Sequence, residues 1–344
     1  MTAAQYLKML DEKLGVSGNE KDIQELIKKL FSQFCDSVEI DGIGNVIGRR
    51  KGTNNTAPSI MIEAHMDELG LMVSRITDEG SLNFITVGGF DPKVLPGTEV
   101  TVHGKEKLFG VIGAKPPHLV TDRSKASKIG ELCVDIGYSK EETEKLVSVG
   151  DMITINTNYT ELSNKIVAAR CIDDRGGLAA ILRTLEILKD EKIENDVICV
   201  ATVQEELGLR GARVAASHII PGCAIAIDVC HGESSDVHDD AFPCGNGPVV
   251  TVGPNLHTKF TKMMLNQAKK NSIDIQLEAC SGDTGTDAWE IQTAACGVPT
   301  ALISIPVRYM HSNYEVASTD DIEATAKIIA FTIKELKDGE CLCF

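Results

Sequence analysis

The sequence predicts an α/β fold in three layers, a mixed sheet flanked by helices, interrupted by a small β-barrel-like module. Three observations carry this. From residue 164 onward, apolar runs of strand length alternate with amphipathic stretches of helix length. Several of those strands, such as VICVATV (197–203) and AIAIDV (224–229), are almost continuously apolar, as a sheet covered on both faces requires. Between about 70 and 162 the texture changes to short β-branched runs separated by Gly, Pro and Asp at close spacing. Because the helix–strand alternation resumes afterwards, the module reads as an insertion. The α/β domain therefore comprises 1–68 and 163–344, and the β module 69–162.

In order along the chain, the first 68 residues read helix, helix, strand, strand. Ser17-Gly18-Asn19-Glu20 is a helix-start cluster, after which Ile23, Leu26, Ile27, Leu30, Phe31 and Phe34 recur on one helical face, a stripe for core packing. Ser59 to Glu63 is a short apolar strand running into Ala64-His65-Met66-Asp67-Glu68. In the module, LMVSRIT (71–77), LNFITVGG (82–89), EVTVHG (99–104), LFGVIGA (108–114) and MITINTN (152–158) read as strands, and only Lys140 to Val147 looks helical. Beyond it, strands are expected at Lys165–Ile172, Val197–Val203, Cys223–Val229, Val249–Val252, Ile273–Ala279 and Val298–Ile305. Helices are expected near Gly176–Lys189, Arg210–Ser217, His257–Asn271, Thr286–Ala295 and Ser318–Leu336.

Composition narrows the function. The chain has 344 residues, enough for two domains, with 43% apolar residues to fill their cores. Lys plus Arg number 34 against 50 Asp plus Glu, a net charge of −16 that repels nucleic acid and anionic membranes. No apolar run approaches the roughly 20 residues that span a bilayer. The first residues are acidic where an export signal is apolar, so a cytoplasmic location is expected. The 11 cysteines, an odd number with no Cys-x-x-Cys pair, read as small buried hydrophobes rather than a disulfide framework or zinc knuckle. The terminal Cys341-Leu-Cys-Phe344 superficially fits a prenylation box, but Asp338 and Glu340 stand where a basic patch belongs.

Ligands of open α/β sheets bind beyond the carboxyl ends of the strands. Five strands end there in ionisable residues: His65 with Asp67, Asp173 with Asp174, Glu205 with Glu206, then Asp228 and His311. One such ending is more often a helix cap or a solvated loop; five on one edge point to a site. Imidazole and carboxylate without thiolate suit catalytic zinc, cobalt or manganese rather than a closed structural zinc. Two His and three carboxylates exceed the needs of one tetrahedral ion and suffice for two if one carboxylate bridges. The Glu205-Glu206 doublet allows one glutamate to ligate while its neighbour serves as general base.

Taken together, AHMDELG (64–70), CIDDRGG (171–177), QEELGLRGA (204–212), AIDV (226–229) and RYMHSNYE (308–315) resemble the motifs of the tetrahedral aminopeptidases. These two-metal metallopeptidases include the glutamyl and deblocking aminopeptidases, and the similarity spans nearly the whole chain in order, including the GVIGAKPPHL segment (110–119) of the module. The resemblance implies a zinc-peptidase-like fold whose β module makes dimers, six of which close into a twelve-subunit shell with inward-facing sites. It implies release of N-terminal residues from peptides by a hydroxide activated between two divalent ions, zinc or cobalt. His65, Asp173 and Asp228 would bind one ion and Asp173, Glu206 and His311 the other. Glu205 would be the general base, Asp67 would orient His65, and the Asp173–Asp174 peptide would be cis. His118 would face a neighbouring subunit's site. Leu207 stands where valine is common, and Asn313-Tyr314 replaces a proline-containing pair; neither is a ligand.

Other motifs weigh less. Asp283-Thr-Gly-Thr286 matches an aspartic-protease triplet, but that chemistry needs two such loops; it reads instead as lining the substrate pocket together with Asp287. His231-Gly-Glu233 with Pro243-Cys244 hints at a zinc deaminase whose second cysteine is missing, since position 247 is Gly. The alternatives are a two-metal hydrolase of acyl-amino acids or amino-acid conjugates, a glycan hydrolase, for which most carboxylates look committed to metal, and a metal-storing scaffold, which would leave Glu205 redundant.

Overall fold

The structure, a computed structural model, describes residues 1–119, 127–235 and 237–336. The Cys341–Phe344 motif lies outside them. Helix α1 (Ala3–Asp11) starts at Thr2, which forms a capping box with Gln5. Helix α2 (Lys21–Phe31) buries Ile23, Ile27, Leu30 and Phe31, the stripe expected from its periodicity. Strands β1 (Ser37–Ile40), β2 (Val46–Arg50) and β3 (Ile60–His65) follow, β3 being buried at every position.

The module is a closed six-stranded barrel. It comprises β4 (Gly70–Ile76), β5 (Leu82–Val87), β6 (Glu99–His103), β7 (Lys107–Gly113), β8 (Cys133–Asp135) and β9 (Met152–Ile155), with α3 (Lys140–Leu146) before the last strand. The strands close in the order β4-β5-β8-β7-β6-β9, which leaves no free sheet edge. Alternate side chains, among them Leu71, Val73, Phe84, Val100 and Ile153, fill a core separate from that of the α/β domain.

The remainder consists of β10 (Thr160–Glu161), β11 (Ile166–Ala169), α4 (Ile172–Leu188), β12 (Val197–Thr202), α5 (Arg210–Ile219), β13 (Cys223–His231), β14 (Val249–Val252), α6 (Thr258–Lys270), β15 (Gln276–Ala279), α7 (Ala288–Ile291), β16 (Thr300–Arg308), β17 (Glu315–Ser318) and α8 (Thr319–Glu335). Among the described residues the large sheet has eleven strands, ordered β1-β2-β12-β3-β13-β16-β17-β11-β10, with β14 on β16 and β15 on β14. β12, β3, β13 and β16 are mutually parallel, so their carboxyl ends share one edge. Helices α1, α2, α4, α6 and α8 cover one face and α5 and α7 the other, giving two apolar cores. No described helix is long and apolar enough to cross a membrane.

The differences from expectation have local causes. The strand expected at Lys165–Ile172 ends at Ala169, because the Arg170 N–H turns to Asp11 Oδ1 (3.1 Å) instead of a ladder partner. The strand expected at Val298–Ile305 is shifted and runs to Arg308, held by pairing with β13 as far as His231. The helix expected at Thr286–Ala295 is one turn, since the chain leaves it through left-handed Ala295 and Gly297. β10 and β17 are too short to be read from sequence and exist through pairing with β11.

Next to the strand ends lies a buried clamp. Arg175 is 0% exposed; its Nη1 donates to the carbonyls of Leu10 (2.7 Å) and Lys13 (2.6 Å), and its Nη2 to Glu68 Oε1 (3.1 Å). Arg170 pairs with the other oxygen of Glu68 at 2.6 Å. Burial works against the Glu68 charge, but Arg170 and Arg175 overcome it and hold its carboxyl below the usual range. The clamp joins the end of α1, the turn after β3 and the start of α4. Gly15 is required there, because a Cβ would sit 2.5 Å from Arg175 Nη2. Arg175→Met should cost about 3–5 kcal/mol in urea unfolding, the usual penalty for breaking a buried pair; a loss below about 1 kcal/mol would mean that Arg170 alone neutralises Glu68.

Candidate active site

The ionisable residues at the ends of the parallel strands come together. His65 is the last residue of β3, and its Nε2 lies 3.0 Å from Asp173 Oδ1. His311, just past β16, places its Nε2 3.2 Å from Asp173 Oδ2 and 3.5 Å from Glu206 Oε1. Each oxygen of one carboxylate thus faces a different imidazole. The ligand atoms of His65, Asp173 and Asp228 lie within 4.8 Å of one another, as do those of Asp173, Glu206 and His311. Glu205 joins only a group with His65 and Glu206. Asp228 lies inside β13 rather than at its end, because that strand runs on to His231. The Asp173–Asp174 peptide is cis.

Three buried carboxylates fix the loops that present these groups. Glu68 belongs to the clamp. Asp67 accepts the Glu205 N–H on Oδ1 (3.0 Å) and the Glu206 N–H on Oδ2 (3.2 Å), tying the turn after β3 to the turn after β12. Its carboxylate stands 3.7 Å from His65 Nδ1, whereas its backbone carbonyl stands at 3.2 Å, so the carbonyl orients that ring. Glu315, first residue of β17, accepts the Asp173 N–H (2.9 Å) and the His311 N–H (3.1 Å). Sequence reasoning passed over Glu315; its only signal is an isolated acid closing RYMHSNYE. Asp174 is buried and accepts the Gly177 N–H (2.9 Å); a Cβ on Gly177 would meet its carboxylate at 2.4 Å.

So many acids in one buried place perturb one another. Burial pushes Glu205 up to about 10, with Asp228 and Asp287 adding and His65 opposing. Burial and Asp173 raise Glu206 to about 7. Burial also raises Asp174, Asp228 and Glu315. Asp173 goes the other way: burial opposes its charge, but hydrogen bonds from His311 and His65 hold it well below the carboxylate range. The hydrogen bond to Asp173 lifts His311 to about 9.

The donor chemistry fits divalent cations. The Asp67 carbonyl can only accept, so in neutral His65 the proton sits on Nδ1 and the Nε2 lone pair faces a carboxylate oxygen 3.0 Å away. Two acceptors facing each other need a proton or a cation between them. The crowded acids call for the same positive charge.

The site opens into a cavity of about 290 Å³, lined by Asp173, Glu205, Glu206, Asp228 and His311 and reaching Thr284 and Thr286. Thr284, Gly285 and Thr286 of the Asp283–Thr286 loop therefore line the pocket, but Asp287 does not. It is 2% exposed, with its Oδ2 accepting from Thr202 Oγ1 at 2.8 Å, because the single turn of α7 directs it into the sheet. His118 is exposed on a turn of the barrel, outside the cavity.

Residues 44–328 match the M42 glutamyl aminopeptidase family. The chain belongs to that family. A lysyl aminopeptidase of Pyrococcus furiosus is 38% identical to it over 341 residues, 97% of each chain. A glutamyl aminopeptidase of Lactococcus lactis is 31% identical, covering 92% of this chain and 91% of its own. The Pyrococcus horikoshii TET1 peptidase, which can assemble into a tetrahedron or a large octahedral shell, superimposes with a TM-score of 0.85 at 35% identity, over 97% of this chain and 100% of its own. The protein is an aminopeptidase, a hydrolase of N-terminal peptide bonds, and its three-layer α/β fold with an inserted barrel is that of its relatives.

Glu315→Gln turns one acceptor into a donor facing a backbone N–H. It should weaken divalent-metal affinity by roughly 10–100-fold, as loss of a group that orients ligands typically does, measured by competition with a chelator. Unchanged affinity would show that packing alone holds the two loops.

Proposed function

We propose that this aminopeptidase works with two divalent cations, zinc or cobalt, sharing Asp173. His65 and Asp228 would complete one position and Glu206 and His311 the other. The observation that carries this is the orientation of Asp173, one oxygen toward each histidine. Such ions, when bound, polarise the first peptide carbonyl, lower the pKa of water and receive the free amine. Glu205 belongs to neither group that contains Asp173, yet it lines the cavity. Its carboxylate takes a proton from the attacking water and delivers it to the departing amine. Neighbouring cations favour its ionised form against the pull of burial. Asp67 holds the Glu205 and Glu206 amides together, so the two carboxylates keep their separate tasks.

The test is a pair of variants. Glu205→Gln should keep two metals per chain by elemental analysis and lose about 10²–10⁴-fold in turnover of an aminoacyl reporter. Glu206→Gln should lower metal occupancy. A ratio that never exceeds one at saturating metal, or identical behaviour of the two variants, would overturn this division of labour.

We further propose peptide substrates, a cytoplasmic location and self-association into a twelve-subunit shell. All described cysteines are free, as in a reducing compartment. The shell-forming relative supports assembly, as does the barrel surface, which exposes Phe109 at 59% and Ile85 at 45%. His118 would then sit against a second subunit. Light scattering on metal-loaded protein should give a mass many times the 37.0 kDa of one chain. An active species of single-chain mass would make the shell dispensable.

A further inference from the structure

The cavity extends beyond the ligand cluster along one face of the sheet, and strand register shows what lies at its far end. Residues paired in register point to the same face, as do residues two apart on one strand. Asp228 pairs with Ser304, Ser304 with Val249, and Val249 with Gln276. Two residues along those strands, Leu302 and the in-register pair Thr251 and Glu278 occupy that same face. Glu278 is therefore three strands from Asp228, about 14 Å across the sheet, and both line the cavity.

The space between is graded in polarity. Leu302 and Met310 give apolar walls, while Glu278 and Asp240 supply the acids beyond. The Thr251 hydroxyl donates to Glu278 Oε2 at 2.8 Å and so fixes that carboxylate. An adjoining recess shares Glu278 and Asp240 and adds Asp283. None of the residues lining either recess is Lys or Arg; outside the ligand cluster the other titratable groups are His231, Cys230 and Cys280.

A substrate whose amine and first carbonyl sit at the ligand cluster can send its first side chain along those apolar walls. A long aliphatic stem with a cationic tip matches both wall and end. We propose that Glu278, assisted by Asp240, makes this enzyme select peptides beginning with Lys or Arg and reject those beginning with an acid. This rests on the aminopeptidase reading with the substrate amine at the ligand cluster. The names of the relatives do not decide it, since a lysyl and a glutamyl aminopeptidase are both among them.

The experiment uses the full-length, metal-loaded enzyme with Lys, Arg, Leu and Glu p-nitroanilides. Lys and Arg should exceed Leu in kcat/KM by about tenfold, with Glu lowest. Glu278→Gln should reduce the Lys-to-Leu ratio about tenfold, mainly through KM, and Glu278→Lys should raise the Glu-to-Lys ratio. In competition with the Leu reporter, lysinamide should inhibit the native enzyme more strongly than norleucinamide, and this difference should vanish in Glu278→Gln. A native preference for Leu or Glu, an unchanged ratio in Glu278→Gln, or an equal fall on every reporter would overturn the assignment. Absence of turnover on all four by the native enzyme would overturn the aminopeptidase reading together with it.

Discussion

Like charge held out of water is the constraint on which this structure depends. Asp67, Asp173, Asp174, Asp228, Glu206 and Glu315 are all buried or nearly so within one small region. Left alone, such a set repels itself and loses its hydration. The chain answers with backbone N–H groups and guanidinium. Asp67 receives two amides, Glu315 two, and Glu68 two arginines. Each of these carboxylates spans two ligand-bearing segments, so the groups that neutralise charge also set distances. Asp173, Glu206 and Asp228 remain the ones without enough positive partners, and those, with His311, are the residues left facing the cavity.

The parallel strands explain why this can be built. Register between β12, β3, β13 and β16 brings four carboxyl ends to one edge, and each continues into a turn or helix able to present a side chain. The barrel leaves from the end of one such strand and returns near β11, closing on its own apolar core. Its insertion therefore leaves the register of the catalytic strands undisturbed.

Much of this was legible in the sequence because it depends on local pattern. Apolar runs mark strands, and an ionisable residue after such a run marks a strand end; His65, Glu206 and His311 follow that rule, Asp173 instead opens α4 four residues past β11, and all four lie in one cluster. What escaped depends on long-range pairing. Glu315 has no local mark, since its role comes from β17 lying between β11 and β16. Asp287 sits beside a loop that does line the pocket, but one short helical turn decides which way a side chain points, and hydrophobic period cannot fix that. Asp67 was expected to hold the His65 ring with its carboxylate; the backbone carbonyl does so, leaving the carboxylate for the amides of a segment 138 residues away.

The position of β15 has an evolutionary consequence. Among the described residues it pairs only with β14, and β14 reaches the body of the sheet only through β16. A strand attached on one side can exchange the residue at position 278 with little disturbance to hydrogen bonding elsewhere. Side-chain preference and reaction chemistry are thereby placed on separately mutable parts of one sheet. A single substitution at that margin can change which peptide ends are preferred while the residues at the centre stay as they are.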